Sequence, residues 1–337
     1  MSQLFRAATI PSDVALRAFA IVMILYNHSH EDADFWTWKG GLTILLMLVG
    51  LNLARFGLKN ADPASSRHAI AGLLRRMFVP AFCFTVLYLA IHIVLYRKIY
   101  WTEFLFVANW FTPYHPQLFP VWYSQVMLQL LAGIYLLFWI PPVARGILRH
   151  PLAGMLMLFT AGVALALFMP LVWDTRPLWY QVPHNYLWNI ALGGLLYFLV
   201  FEPNRVPFPR VVAVACVVAG AAAGYGGGRL EFYMLIAAGI FLVAVREVRL
   251  PWVLSQALVV TSSAAYAIFL QHVMWFKVFH VAYGRIAGPG LWPALAFDAM
   301  FVFGLVMSIG CWLVFKSFVR ALQSLPVAWP RLRFAAA

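Results

Sequence analysis

Charge is scarce in this chain. Asp, Glu, Lys and Arg make up 10% of its 337 residues, where a soluble domain carries about 25%. Cysteine is scarcer still. Cys83, Cys216 and Cys311 are the only three, each within an apolar stretch, which argues against a disulfide framework or a thiolate metal site. No Walker-type glycine loop, no Cys/His metal spacing and no internal repeat is present, so nucleotide-motor, metal-centred and solenoid readings have nothing to rest on. Acids are few, 11 against 24 bases. What fills the chain is apolar: 64% of residues are hydrophobic and the mean hydropathy is +0.83. That composition describes a membrane protein throughout rather than a globular domain with an anchor.

Apolar stretches predict ten helices, at about 14–30, 40–57, 74–96, 121–140, 152–172, 186–201, 209–226, 231–246, 253–277 and 291–318, each near spanning length. The fold class is therefore all-α: a polytopic integral membrane protein, one transmembrane domain over 1–337. The first stretch runs into NHSH and EDAD without a small-residue cleavage site, so it reads as a retained span rather than a signal peptide. With the N-terminus placed in the cytoplasm, 17 of the 24 Lys and Arg residues fall on the inner side and 7 on the outer. The positive-inside rule then puts both termini in the cytoplasm. The net charge of +13 is orientation signal and calls for no nucleic acid partner.

Against this background Arg17 and His28 stand out within LRAFAIVMILYNH. Eleven residues at about 100° each come to three turns plus about 20°, so both side chains point along one helix face with about 16 Å of rise between them. A cation and an imidazole aligned inside a span are costly and are functional candidates by default. The alternative is that Arg17 snorkels to a headgroup and His28 marks the opposite interface. Other polar groups at membrane depth are Asn27, His92, Gln125, Gln129, Gln271, His272 and Asp298. Gln125 and Gln129 share a helix face, four residues apart, where they can hydrogen-bond a neighbour. His28 and His272 lie at similar outward depths on spans running in the same direction, so they could converge on one site.

The longest outer loop, 97–120, is rich in aromatics and prolines. Trp101, Trp110, Tyr114 and His115 read as a packed or interfacial cap with the composition of an aromatic belt, or as a surface that stacks on a sugar. The inner loop 55–76 carries Arg75-Arg76, suited to phospholipid headgroups or to the phosphates of a cytoplasmic nucleotide cofactor. GYGGG at 224–228 reads as a turn.

Five ordered stretches resemble the membrane acyltransferase-3 family. Arg17 and His28 match its Arg-x10-His signature. Gly41 to Gly50 (GLTILLMLVG) resembles a second-helix segment that usually reads like GVDLFFVLSG. Arg75, Arg76 and Pro80 resemble the opening of the third helix, and Trp122-Tyr123-Ser124-Gln125 the WF-x-E of the fourth. Ser263, Tyr266 and His272 resemble the late SYxIYLLH motif. The resemblance covers about residues 10–320. Thr43 and Val49 depart from it, as does Gln125, which stands where a glutamate is usual; Glu31, Asp32 or Asp34 would then have to supply a carboxylate. No appended soluble domain is expected.

The resemblance implies an integral membrane O-acyltransferase of the cell inner membrane. It would move an acyl group, usually acetyl, from cytoplasmic acetyl-CoA or another acyl-CoA to a carbohydrate hydroxyl on the outer side, with no metal. It implies His28 as base or acyl relay, His272 as a second base or acceptor ligand, and Tyr266 or Gln125 as donors to the oxyanion. Arg17, Arg75 and Arg76 would meet the donor's phosphates, and Trp122, Trp110 and Tyr114 the glycan acceptor. The main alternative is a transporter or flippase for a glycan or lipid-linked substrate, in which intramembrane Arg and His line a path. It predicts repeats with broken helices in matching positions, and none is found.

Overall fold

A computed structural model describes residues 7–30, 40–59, 62–97, 101–111, 122–174, 181–202, 206–226, 229–287 and 294–324. Each of the ten apolar stretches contains a helix: α1 (Ser12–Ser29), α2 (Gly41–Asn52), α3 (Pro63–Tyr96), α6 (Trp122–Leu137), α8 (Pro151–Val172), α9 (Leu187–Leu196), α10 (Pro209–Tyr225), α11 (Leu230–Ala244), α12 (Trp252–Ala287) and α13 (Ala294–Ser324). Wider π turns continue α2 through Leu53–Leu58 and α9 through Tyr197–Phe201. Three short helices join them: α4 (Trp101–Phe104), α5 (Ala108–Phe111) and α7 (Pro141–Arg149).

Among the described residues five helices are long and apolar enough to cross a membrane: Gly41–Leu58, Pro63–Ala90, Pro151–Val172, Trp252–Ile286 and Leu295–Phe318. The pair α6–α7, bent by 98°, makes a sixth if taken as one span. Their outer faces stay apolar, with Leu171 81% and Val314 71% exposed, as a lipid-facing helix requires.

Two differences from the sequence expectation have local causes. α3 starts eleven residues early, within the loop ADPASSRH, because Asp62 caps it. The Asp62 carboxylate accepts from the Ser65 amide at 2.8 Å and the Ser65 hydroxyl at 2.9 Å, with Pro63 at the first helical position. The second is a two-stranded antiparallel sheet, β1 (Ala7–Pro11) with β2 (Glu247–Pro251), in register Ala7↔Pro251 and Thr9↔Arg249. The Ser12 amide then donates to the Arg246 carbonyl at 3.0 Å. This tie fixes the start of α1 against the start of α12.

α2 is buried along most of its length, as an all-round apolar helix must be. It packs on α1 at one side and α9 at the other. Glycines set these contacts. A methyl group at Gly41 would meet the Ala20 carbonyl oxygen, at Gly50 the Ile190 carbonyl, and at Gly193 the Met47 carbonyl. Such close backbone approach is how helices associate where lipid leaves no hydrophobic driving force. α1 packs on α12, and α12 on α13. α3 and α12 run parallel: Tyr266 to Met77 and Lys277 to Tyr88 are both 189 residues apart.

Gly193→Ala should cost roughly 1–3 kcal/mol or more by overpacking, seen as a lower thermal transition of the purified protein in detergent. Gly133→Ala, with nothing within 4 Å of the added methyl, should match or exceed the wild type. Equal transitions for the two variants would remove the glycine contact as a determinant.

Candidate functional site

α1 and α12 bring His28 and His272 together, 244 residues apart in sequence. His28 Nδ1 lies 2.7 Å from His272 Nε2, with the rings nearly parallel at 4° and centroids 5.0 Å apart. His272 Nδ1 stands 2.8 Å from the Phe269 carbonyl and 3.1 Å from that of Ile268. Carbonyls only accept, so Nδ1 carries the proton and Nε2 is the acceptor. His28 must then donate from Nδ1, which puts its basic lone pair on Nε2. His272 is fully buried and His28 partly so. The convergence expected from matched depth is what the structure places.

The Arg17 end is a second polar cluster. Asp13, 3% exposed, is forked by Arg55, Nη1 at 3.2 Å and Nη2 at 3.5 Å, and faces Arg17 Nη2 at 3.8 Å. Two guanidiniums share one carboxylate, so one positive charge is left over for an anion. Arg55 also lies over the Phe201 ring at 5.8 Å. Asp13 and Arg17 are i and i+4 on one helix, a spacing visible in the sequence; Arg55 comes from the π turn after α2, and its pairing is not. Tyr123 stands between the clusters. Its ring is 4.6 Å from Phe269, one turn before His272, and its hydroxyl is within electrostatic reach of Arg17.

Gln125 and Gln129 bind segment 101–111 rather than a neighbouring long helix. The Gln125 side chain accepts from the Asn109 amide at 3.1 Å and donates to Glu103 Oε2 at 2.5 Å. Gln129 donates to the Phe106 carbonyl at 2.6 Å and to Asn109 Oδ1 at 2.8 Å, and accepts from Trp110 Nε1 at 2.9 Å. Asn109 also donates to the Gln181 carbonyl at 3.0 Å. Segment 101–111 thus folds back against α6 and α3, where Phe104 meets Phe82 and Phe106 meets Phe78. Phe106, Leu128 and Leu270 share one buried cluster with Ala81 and Phe84. Leu270 is two residues from His272, so the segment reaches the level of the histidine pair.

Glu103 is the residue that the sequence reading passed over. It supplies a carboxyl beside Gln125 from a different element, while Glu31, Asp32 and Asp34 lie outside the described residues. It is 9% exposed, and burial pushes its carboxyl up to about 7, against the opposing hydrogen bond from Gln125. Among the described residues its second oxygen, Oε1, has no partner. A lone acid in an aromatic loop was the only available signal.

The other expected residues are more dispersed. The Tyr266 hydroxyl donates to the Met77 carbonyl at 2.9 Å. Trp122 packs on Tyr123 and Tyr186. Arg75 and Arg76 are exposed on α3; the parallel register puts Arg75 level with Ala264, about 12 Å below His272 along the axis. Trp110 stacks on Trp173 at 5.6 Å and 10°, with His184 tilted against both. Tyr114 and His115 lie outside the described residues. At the C-terminal end of α1, Ser29 Oγ is 2.8 Å from His30 Nδ1 and His30 Nε2 is 3.3 Å from Asp298. Among the described residues no group of three or more His, Cys, Asp or Glu could hold a metal.

A carboxyl raised by burial binds its proton more tightly in the folded state, so its contribution to stability falls as pH climbs from about 4.5 to about 7 and then levels off. Glu103→Gln keeps the Gln125 hydrogen bond and removes the ionisation. It should be more stable than wild type at pH 8, on the order of 2 kcal/mol, and no more stable at pH 4.5. Parallel thermal transitions at both pH values would contradict the buried ionisation. Comparison with protein-family models, with curated protein sequences and with solved structures matches none of them.

Proposed function

We propose that the chain is an integral membrane O-acyltransferase, drawing an acyl group, usually acetyl, from acyl-CoA and placing it on a carbohydrate hydroxyl. The observation that carries this reading is the His28–His272 pair, with its proton order fixed, one helix face along from Arg17. In this reading ten spans cross the inner membrane, both termini are cytoplasmic and the Arg17 end faces the cytoplasm. The donor's phosphates meet the charge left over at Arg17 and Arg55, and Arg75 and Arg76 extend that basic rim. The pantetheine arm runs past Tyr123 and brings the thioester to His28.

The chemistry follows from the tautomers. His28 Nε2 takes the proton of the acceptor hydroxyl as its oxygen attacks the thioester carbonyl. The resulting imidazolium keeps donating from Nδ1 to His272 Nε2, which spreads the charge without moving a proton. Collapse of the tetrahedral intermediate breaks the carbon–sulfur bond, and the CoA thiolate recovers the proton from His28 Nε2. Tyr266 is the candidate oxyanion donor, a role that requires its single hydroxyl proton to leave the Met77 carbonyl. Both ends of the Gln125 amide are engaged with segment 101–111, so its part in this reading is to hold that segment.

Purified protein in nanodiscs, given radiolabelled acetyl-CoA, should release or transfer acetyl in a His28-dependent way. His28→Ala should lose about 10²-fold or more, and a fully active, well-folded His28→Ala protein would falsify the assignment. Arg17→Lys keeps the charge but loses the planar fork, so it should raise the KM for acetyl-CoA more than it lowers kcat. An unchanged KM would take Arg17 out of the donor site.

A further inference from the structure

Three features of the outer cap are used by no step above: Glu103 Oε1 and the buried His184 Nε2, neither with a hydrogen-bond partner among the described residues, and the Trp110–Trp173 stack. All three belong to one assembly. Gln125 holds Glu103 and Gln129 holds Trp110, and these glutamines are one turn apart on α6, about 6 Å. His184 lies 5.6 Å from Trp173 and 6.4 Å from Trp110, ring centroid to centroid. Because its Nε1 is committed to Gln129, the Trp110 indole cannot turn about its bonds without losing that hydrogen bond, and its face is fixed.

We infer that segment 101–111, with Trp173 and His184, forms the binding site for an uncharged carbohydrate acceptor. This rests on the acyltransferase reading and names the substrate side of it. A pyranose presents C–H groups on its faces and hydroxyls around its edge. The fixed indole offers an apolar face to the first, and Glu103 Oε1 and His184 Nε2 offer hydrogen-bond acceptors or donors to the second. The Gln125–Asn109–Gln129 network is internally satisfied and would hold equally well with glutamine at 103. The carboxyl is therefore surplus to the architecture and has a free oxygen to spend on a ligand hydroxyl. Once ionised, above about pH 7, this carboxyl also repels a sugar acid, so the site selects uncharged rings.

The test uses the full chain in nanodiscs with acetyl-CoA as donor and methyl β-glucopyranoside or methyl β-glucuronide as acceptor. Acetyl passed to sugar and acetyl lost to water are measured together, and tryptophan quenching by each sugar is measured without donor. Wild type should acetylate and bind the glucoside in preference to the glucuronide. Trp110→Ala should lower the ratio of transfer to hydrolysis about tenfold. Glu103→Gln should weaken glucoside quenching and narrow the preference over the glucuronide. Wild type that hydrolyses acetyl-CoA through His28 yet binds and acetylates neither sugar overturns the inference alone. So do variants whose transfer and hydrolysis fall in parallel, which would mark a structural role. Absence of any His28-dependent turnover overturns the acyltransferase reading itself, and sugar quenching that Glu103→Gln leaves unchanged removes the site independently of turnover.

Discussion

The hydrogen bonds from His272 Nδ1 to the carbonyls of Ile268 and Phe269 set the direction of the whole polar column. A helix leaves few backbone carbonyls open to a side chain, and a histidine that binds them has no choice of tautomer. That one local contact assigns the acceptor nitrogen of His272, hence the donor nitrogen of His28, hence the atom that carries the free base. Without it the pair would be two interchangeable imidazoles. The pair is also what α1 and α12 share at that level, so the sheet at the other end, the glycine contacts of α2 and the fold-back of segment 101–111 all hold an arrangement whose chemistry is already oriented.

Much of this column is legible along a single helix. The Arg17–His28 spacing, the Asp13–Arg17 step and the Gln125–Gln129 step each follow from helical periodicity. The glycines of GLTILLMLVG are visible, although their partners, Ala20 and Ile190, are not. What a single sequence cannot show is pairing across the fold. Glu103 reaches Gln125 only because its segment turns back on α6, and Arg55 reaches Asp13 only because a π turn swings it round. β1 and β2 are five residues each and 240 residues apart in register at Thr9↔Arg249, too short and too distant for periodicity to detect. The early start of α3 was legible in Asp62, Pro63 and Ser65, a capping signature overlooked because the segment is polar.

The two ends of the column solve the burial of polar groups differently. At the Arg17 end a carboxylate sits between two guanidiniums, and pairing offsets much of the desolvation cost while leaving a net positive field. At the histidine pair neutral rings pair with each other and with the backbone, so no ion needs to be buried at rest. Segment 101–111 combines both, with a saturated amide network around one carboxyl that has no cation partner among the described residues. A guanidinium–carboxylate cluster, a histidine pair and a buried acid follow one another along the molecule.

The sheet between β1 and β2 has a consequence in time. The residues that seat the start of α1, Arg246 through Pro251, leave the ribosome more than two hundred residues after Ser12. The start of α1 is therefore tied down only once β2 has been made, and the histidine that α1 carries meets its partner only when α12 arrives. Until then His28 travels through biogenesis without His272, while Asp13 and Arg17 already face each other along α1. A nascent chain cut short before residue 247 would hold most of the described helices, the Arg17 cluster and segment 101–111, but not the histidine pair.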